Sequence, residues 1–217
     1  MKSLCEIGRI AFPKPCGIAI NMMPFVMGDA SSIPDRYRHY QSLIDACRLE
    51  NEQIGTVGYL SIQESYVIVG TSQRRPGIHT DKHPSDDWGG GGWGSGNVES
   101  GARKDGIYVA STVGGSCRAW DLQIKMPGKM GNCEHLRSDL ERLHPITMKA
   151  DVLYWMTDSV PHESLPLETA TFRQWFRLVT HKVGIWYEQH STANPLGVLP
   201  SCVIAHGNKF AQATARS

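Results

Sequence analysis

The sequence predicts a mainly β fold, a sandwich or barrel of antiparallel strands buttressed by a few flanking α-helices. Three observations carry that expectation. From Tyr59 onward, runs rich in β-branched and aromatic residues recur between Gly- and Pro-marked turns. Helical spacing is confined to one stretch ahead of these runs and one among them. The 217 residues, 41% of them hydrophobic, suffice for one sizeable core and fall short of what two ordinary domains need. We therefore read residues 1–217 as a single domain, in which 1–54 form an irregular segment with a supporting helix, 55–180 the β core and 181–217 a capping segment.

Taken in order, Ile7 to Phe25 is rich in Pro and apolar residues and reads as irregular packing or short strands. Residues 34–50 read as a helix, because Pro34 suits a first turn and Tyr37, Tyr40, Ile44 and Cys47 recur at helical spacing. Tyr59 to Val69 is a strand. Asp86 to Gly96 holds too many glycines for a helix or a central strand, so the Gly/Trp-rich stretch 86–101 is a loop. It is either a surface loop or a lid that closes Trp88 and Trp93 over a ligand. Gly106 to Val113 and Cys117 to Ile124, on either side of Gly114 and Gly115, read as a hairpin. A second helix at 134–143 places Leu136, Leu140 and Leu143 on one stripe. Asp151 to Met156 and Thr169 to Thr180 are strands again, and the aromatic-then-turn pattern from Trp186 to Gly197 caps the sheet.

Composition narrows the partners. The 22 basic and 21 acidic side chains leave a net charge of +1, and no polybasic run appears, which argues against nucleic acid or a membrane surface as a charge-driven partner. No apolar stretch approaches bilayer length. Met1 to Glu6 lacks the apolar segment of a secretory signal, so a cytoplasmic chain is expected. The six cysteines (Cys5, Cys16, Cys47, Cys117, Cys133, Cys202) are scattered without a CxxC pair and read as reduced, mostly buried thiols.

Of the nine histidines, His39, His135, His144, His181, His190 and His206 have no partner at ligand spacing and read as surface or packing residues. His79 and Asp81 differ. They follow the Pro76–Gly77 turn, and on an extended chain residues two apart point to the same side. His162, after an apolar strand and Pro161, is the candidate third ligand. Two imidazoles and a carboxylate on one face of a metal leave positions open, as in the facial triad of non-haem Fe(II) sites. Arg173 follows on the Thr169–Thr180 strand, where its guanidinium could hold an organic acid's carboxylate through two parallel hydrogen bonds; Arg177, on the same face, is the alternative. Arg74 and Arg75 flank the metal strand and serve either an anionic small molecule or surface ion pairs.

The order His79, Asp81, His162, Arg173 resembles the iron and cosubstrate signature of the Fe(II)/2-oxoglutarate-dependent dioxygenase superfamily. Met148 to Met156 is similar to the strand that precedes the distal histidine there, and Val160 to Pro166 and Phe172 to Leu178 fit its late strands. The resemblance spans about residues 55 to 180. It implies a double-stranded β-helix, a jelly-roll or cupin-like barrel, with Fe(II) held by His79, Asp81 and His162. It also implies that 2-oxoglutarate is the cosubstrate, with its distal carboxylate on Arg173. The implied activity is hydroxylation of a C–H bond in a small molecule, with release of succinate and CO2. Demethylation, desaturation and cyclisation share the early steps, and a peptide substrate is left open. The long interval from Asp81 to His162 departs from the pattern. So does His83, which with His79 and Asp81 would make a cupin-like metalloenzyme needing no oxoacid (an isomerase or a cosubstrate-free dioxygenase). A non-catalytic barrel that grips a ligand with its Gly/Trp loop is the third reading. Oligomeric state is open.

Overall fold

The computed structural model describes residues 3–81, 106–180 and 183–207. In chain order its elements are β1 (Leu4–Arg9), β2 (Ala19–Val26), α1 (Gln41–Ala46), β3 (Val57–Val67), β4 (Gly106–Ser111), β5 (Cys117–Ala119), α2 (Arg137–Arg142), β6 (Ile146–Thr147), β7 (Val152–Met156), β8 (His162–Ser164), β9 (Thr171–Thr180), β10 (Ile185–Tyr187) and β11 (Val203–Ala205). The expected mainly β architecture is found. A six-stranded antiparallel sheet runs β1-β7-β4-β9-β3-β2, a three-stranded antiparallel sheet runs β6-β5-β8, and β10 and β11 form a parallel pair. Among the described residues no helix is long and apolar enough to cross a membrane.

The chain alternates between the two larger sheets. It leaves the large sheet after β3 and pairs with β8 of the small one at His79. It returns for β4, crosses again for β5 and β6, returns for β7, crosses for β8 and returns for β9. Alternation along β9 shows how the layers form, since successive side chains of a strand face opposite sides. Phe176 and Leu178 face outward into a core with Leu60, Ile62, Tyr108 and the helical residues Tyr40, Leu43 and Ile44. Trp175 and Val179 face inward into a second core with Ile107, Val109, Ala119, Met148 and Tyr154. Each fully buried aliphatic or Phe side chain contributes roughly 1.5–3 kcal/mol by leaving water, so the two cores clamp the large sheet from both faces. A smaller cluster of Ile78, Trp120, Cys133 and Leu140 fastens α2, with the Trp120 indole N–H donating to the Leu140 carbonyl at 2.7 Å.

Four expectations need correction. The 34–50 helix is a 3-10 turn over Asp35–Tyr40 followed by the short α1. Tyr37 and Tyr40, three apart, bury one face of a 3-10 turn equally well, and this spacing was readable as α. The 134–143 helix likewise splits into a 3-10 turn, Glu134–Leu136, and α2, with Leu143 exposed. The hairpin around Gly114 and Gly115 does not form. Every residue of β4 is buried and both its edges are occupied, by β7 and β9, so the turn carries the chain to the other sheet. Of the free cysteines only Cys47 and Cys133 are buried, while Cys16 is exposed and the other three lie between. The Gly/Trp loop with Trp88 and Trp93, together with His83 and His181, lies outside the described residues.

At the C-terminal end, Trp186 and Tyr187 enter the inner core. The Trp186 indole N–H donates to the Met22 carbonyl at 2.7 Å.

Candidate functional site

The site begins at the turn before His79. Gly77 has φ +78°, and a Cβ there would lie 2.8 Å from Glu134 Oε1, so glycine meets both a backbone and a space requirement. Glu134 accepts the Ile78 N–H at 2.6 Å and pins the turn. Beyond it Ile78 packs into the cluster with Trp120, which leaves His79 to face the other way. The His79 N–H donates to the His162 carbonyl at 3.0 Å and the His162 N–H to the His79 carbonyl at 2.9 Å. This reciprocal exchange makes the two residues directly opposed partners on neighbouring strand segments. Their rings lie 4.5 Å apart between centroids, tilted by 58°.

Each ring is oriented by its own backbone. His79 Nδ1 bonds the Gly77 carbonyl at 2.7 Å and His162 Nδ1 the Val160 carbonyl at 2.9 Å. A carbonyl only accepts, so Nδ1 donates, which in a neutral ring leaves the lone pair on Nε2, the arrangement that fixes a metal-binding imidazole. Burial, the neighbouring His162 and the Arg75 charge push the His79 pKa well below the ordinary histidine range. That keeps it in the neutral form that binds metals.

Asp81, buried like His79, lines the same cavity of about 100 Å³ as His79, His162 and Arg177. Its Oδ2 lies 3.6 Å from Arg177 Nη1. Among the described residues no three His, Cys, Asp or Glu side chains stand close enough together to hold a metal ion; the imidazole pair offers two donors. Arg173 is fully buried, at 0% exposure, and sits behind the cavity wall. Its Nε donates to Ser111 Oγ at 2.9 Å and its Nη2 contacts Cys117 Sγ at 3.3 Å, while Nη1 has no hydrogen-bond partner among the described residues. Cys117 lines the cavity, so the guanidinium stands one side chain from it.

Three further residues shape the space. Arg74, read from the sequence as flanking the metal strand, faces the cavity. Its guanidinium carbon lies 4.1 Å from the centroid of the Trp175 ring, and Arg177 lies 5.4 Å from the same centroid. Asn21 sits at a bulge in β2, where the register to β3 slips between Ile20 and Met23 and Met22 adopts φ 51°. Such a bulge re-aims side chains, and the Asn21 amide meets Arg74 Nη2 at 3.4 Å. His190, set aside as a surface or packing residue, also lines the cavity. Asn21 and His190 carry no sequence signal, because a bulge and a distant 3-10 turn bring them in. Trp175 was missed as well, although its place midway between Arg173 and Arg177 on one strand puts it on their face.

No family model, curated protein or solved structure matches this chain.

Proposed function

We propose that the protein is a non-haem Fe(II)- and 2-oxoglutarate-dependent oxygenase on a double-stranded β-helix. The observation that carries this reading is the His79–His162 pair, hydrogen-bonded backbone to backbone with both Nδ1 atoms anchored and, among the described residues, no hydrogen bond taking either Nε2 from a metal. The winding supports it. Eight strand segments, with His79 counted as one, alternate between two facing sheets as β3-β9-β4-β7 and His79-β8-β5-β6.

The residues present suit a divalent iron: two imidazoles, and a buried carboxylate, Asp81, that would complete the set by turning from Arg177. The chemistry Fe(II) supplies when bound is activation of dioxygen, with oxidative decarboxylation of 2-oxoglutarate to succinate and CO2 and hydroxylation of a substrate C–H bond. Everything else falls to the chain. Arg173, one side chain behind the cavity surface, would take the distal carboxylate through Nη1 once Cys117 gives way, and Ser111 and Cys117 hold the guanidinium in one orientation. The inner core residues Ile107, Val109 and Met156 line the cavity and keep out water. A second reading, a cupin-like metalloenzyme that uses no oxoacid, is favoured by one observation: Arg173 stands behind Cys117 and not on the cavity surface.

The test is an anaerobic titration of Fe(II)-loaded protein with 2-oxoglutarate, watching for the visible charge-transfer band of a chelated oxoacid. The band is expected in the parent chain, absent in His162→Ala, and shifted to at least tenfold higher cosubstrate in Arg173→Ala. Far-ultraviolet circular dichroism on each variant checks its fold. Metal binding with no band at any concentration replaces this reading with the cupin one.

A further inference from the structure

The cavity holds more positive charge than a 2-oxoglutarate dianion needs. Resting on the oxygenase reading, we propose that the substrate is itself a small organic anion, a carboxylate or an acid of like geometry, bound by Arg74 beside Trp175.

Arg74 is built as a ligand-holding group. Its Nη1 donates to Gln63 Oε1 of β3 at 2.9 Å, its Nη2 meets Asn21 Oδ1 of the β2 bulge at 3.4 Å, and its face lies on the Trp175 ring of β9. Three strands thus fix the guanidinium, and all three use neutral groups. Among the described residues no carboxylate lies within ion-pair distance of it. Of the carboxylates lining the cavity, Glu163 is bound by both Arg118 and Arg137, and Asp81 faces Arg177. Arg177 Nε, deeply buried on the same face of β9, has no hydrogen-bond partner among the described residues either. Burial and the nearby Arg177 charge push the Arg74 pKa down to about 9, the mark of a cation that lacks its counter-charge.

The charge balance points the same way. Arg74, Arg75 and Arg177 on the cavity surface and Arg173 behind it, with a divalent ion and against the Asp81 carboxylate, leave an excess of five positive charges, of which 2-oxoglutarate removes two. A neutral substrate would leave desolvated cations beside it, whereas an anion satisfies them. The wall opposite supplies Ile107, Val109 and Met156, so the anion carries an apolar body.

The experiment follows binding of hexanoate and of its neutral analogue hexanamide by ligand-observed NMR. It uses protein loaded with Ni(II) in place of iron, with and without saturating 2-oxoglutarate. Hexanoate is expected to bind alongside 2-oxoglutarate at least tenfold more tightly than hexanamide. Arg74→Gln should weaken hexanoate at least tenfold without changing the 2-oxoglutarate affinity. Arg74→Lys, which keeps the charge and loses the fork, should keep the preference for acid over amide. Equal binding of acid and amide, or hexanoate binding indifferent to Arg74→Gln, overturns the proposal. So does exclusion of hexanoate by 2-oxoglutarate, which would place Arg74 in the cosubstrate site and leave the oxygenase reading standing. Hexanoate binding through Arg74 in a protein that takes no 2-oxoglutarate supports the anion site and sinks the oxygenase reading instead.

Discussion

The two faces of β9 treat buried polar groups in opposite ways. On the outer face Gln174 joins a closed network: its amide donates to the Tyr40 hydroxyl, to Glu64 and to the Pro13 carbonyl, and Glu64 accepts from Tyr40 and from the Cys16 and Ile18 N–H groups. One carboxylate is ringed by donors, and the irregular segment 10–18 is stitched to the sheet as a result. On the inner face Arg173, one position before Gln174, and Arg177, three positions after it, each keep a nitrogen without a partner among the described residues. Saturated polar groups hold a fold in place; unsaturated ones at the same depth await something the fold does not supply. This contrast separates a structural network from a binding site without reference to any relative.

Three changes sharpen or break that contrast. The largest effect is expected on the outer face. Glu64→Gln replaces an acceptor by a group that must turn a donor toward Tyr40 or the backbone, and it should cost about 2–3 kcal/mol in denaturant unfolding at neutral pH. Burial pushes the Glu64 carboxyl up, but the bonds from Ile18, Tyr40 and Cys16 outweigh it and hold the pKa below its ordinary 4.5. A depressed carboxylate stabilises above that value and loses its contribution as pH falls through the folded pKa, so the penalty of Glu64→Gln should shrink below about pH 4.5. A constant penalty down to pH 3 would show that the charge is irrelevant.

Gly77→Ala comes next, at about 1–2 kcal/mol for the left-handed backbone alone, plus the displacement of Glu134. Because it moves the turn that aims His79, it should also weaken metal binding, read by calorimetry; a loss of stability without a loss of metal affinity would detach the turn from the site. The smallest effect has the opposite sign. Arg173→Met exchanges a buried, partly unsatisfied cation for an apolar chain of similar reach, and should leave stability unchanged or raise it by about 1 kcal/mol. A clear destabilisation would place Arg173 with Glu64 among the structural groups.

Much of this was legible in the sequence, and for identifiable reasons. The strand read at Thr169–Thr180 and found at Thr171–Thr180 announced itself through β-branched and aromatic content, and its period of two placed Arg173 and Arg177 on one face. His79 and Asp81 could be paired because they are local. Neighbourhood was harder to read. Nothing in Gly114 and Gly115 says whether the next strand returns beside the last or crosses to another sheet; that depends on which edges of β4 are already taken, a property of the whole chain. Asn21 entered through a bulge in β2, and alternation cannot tell that Arg177 reaches the cavity surface while Arg173 stands behind it. The 3-10 turns were missed because a three-residue spacing of buried tyrosines satisfies either helix.

The winding that brings the histidines together also sets how the protein must fold. Arg173 reaches Ser111 across 62 residues of chain and Gln73 reaches the Arg173 carbonyl across 100, and the His79–His162 bonds close a loop of similar scale. Few neighbours in these sheets are neighbours in sequence, so much chain entropy is surrendered before the pairings repay it, and such topologies reach the native state slowly. The site therefore has no local precursor: until strands far apart in the chain have paired, neither the imidazole pair nor the row of guanidiniums exists.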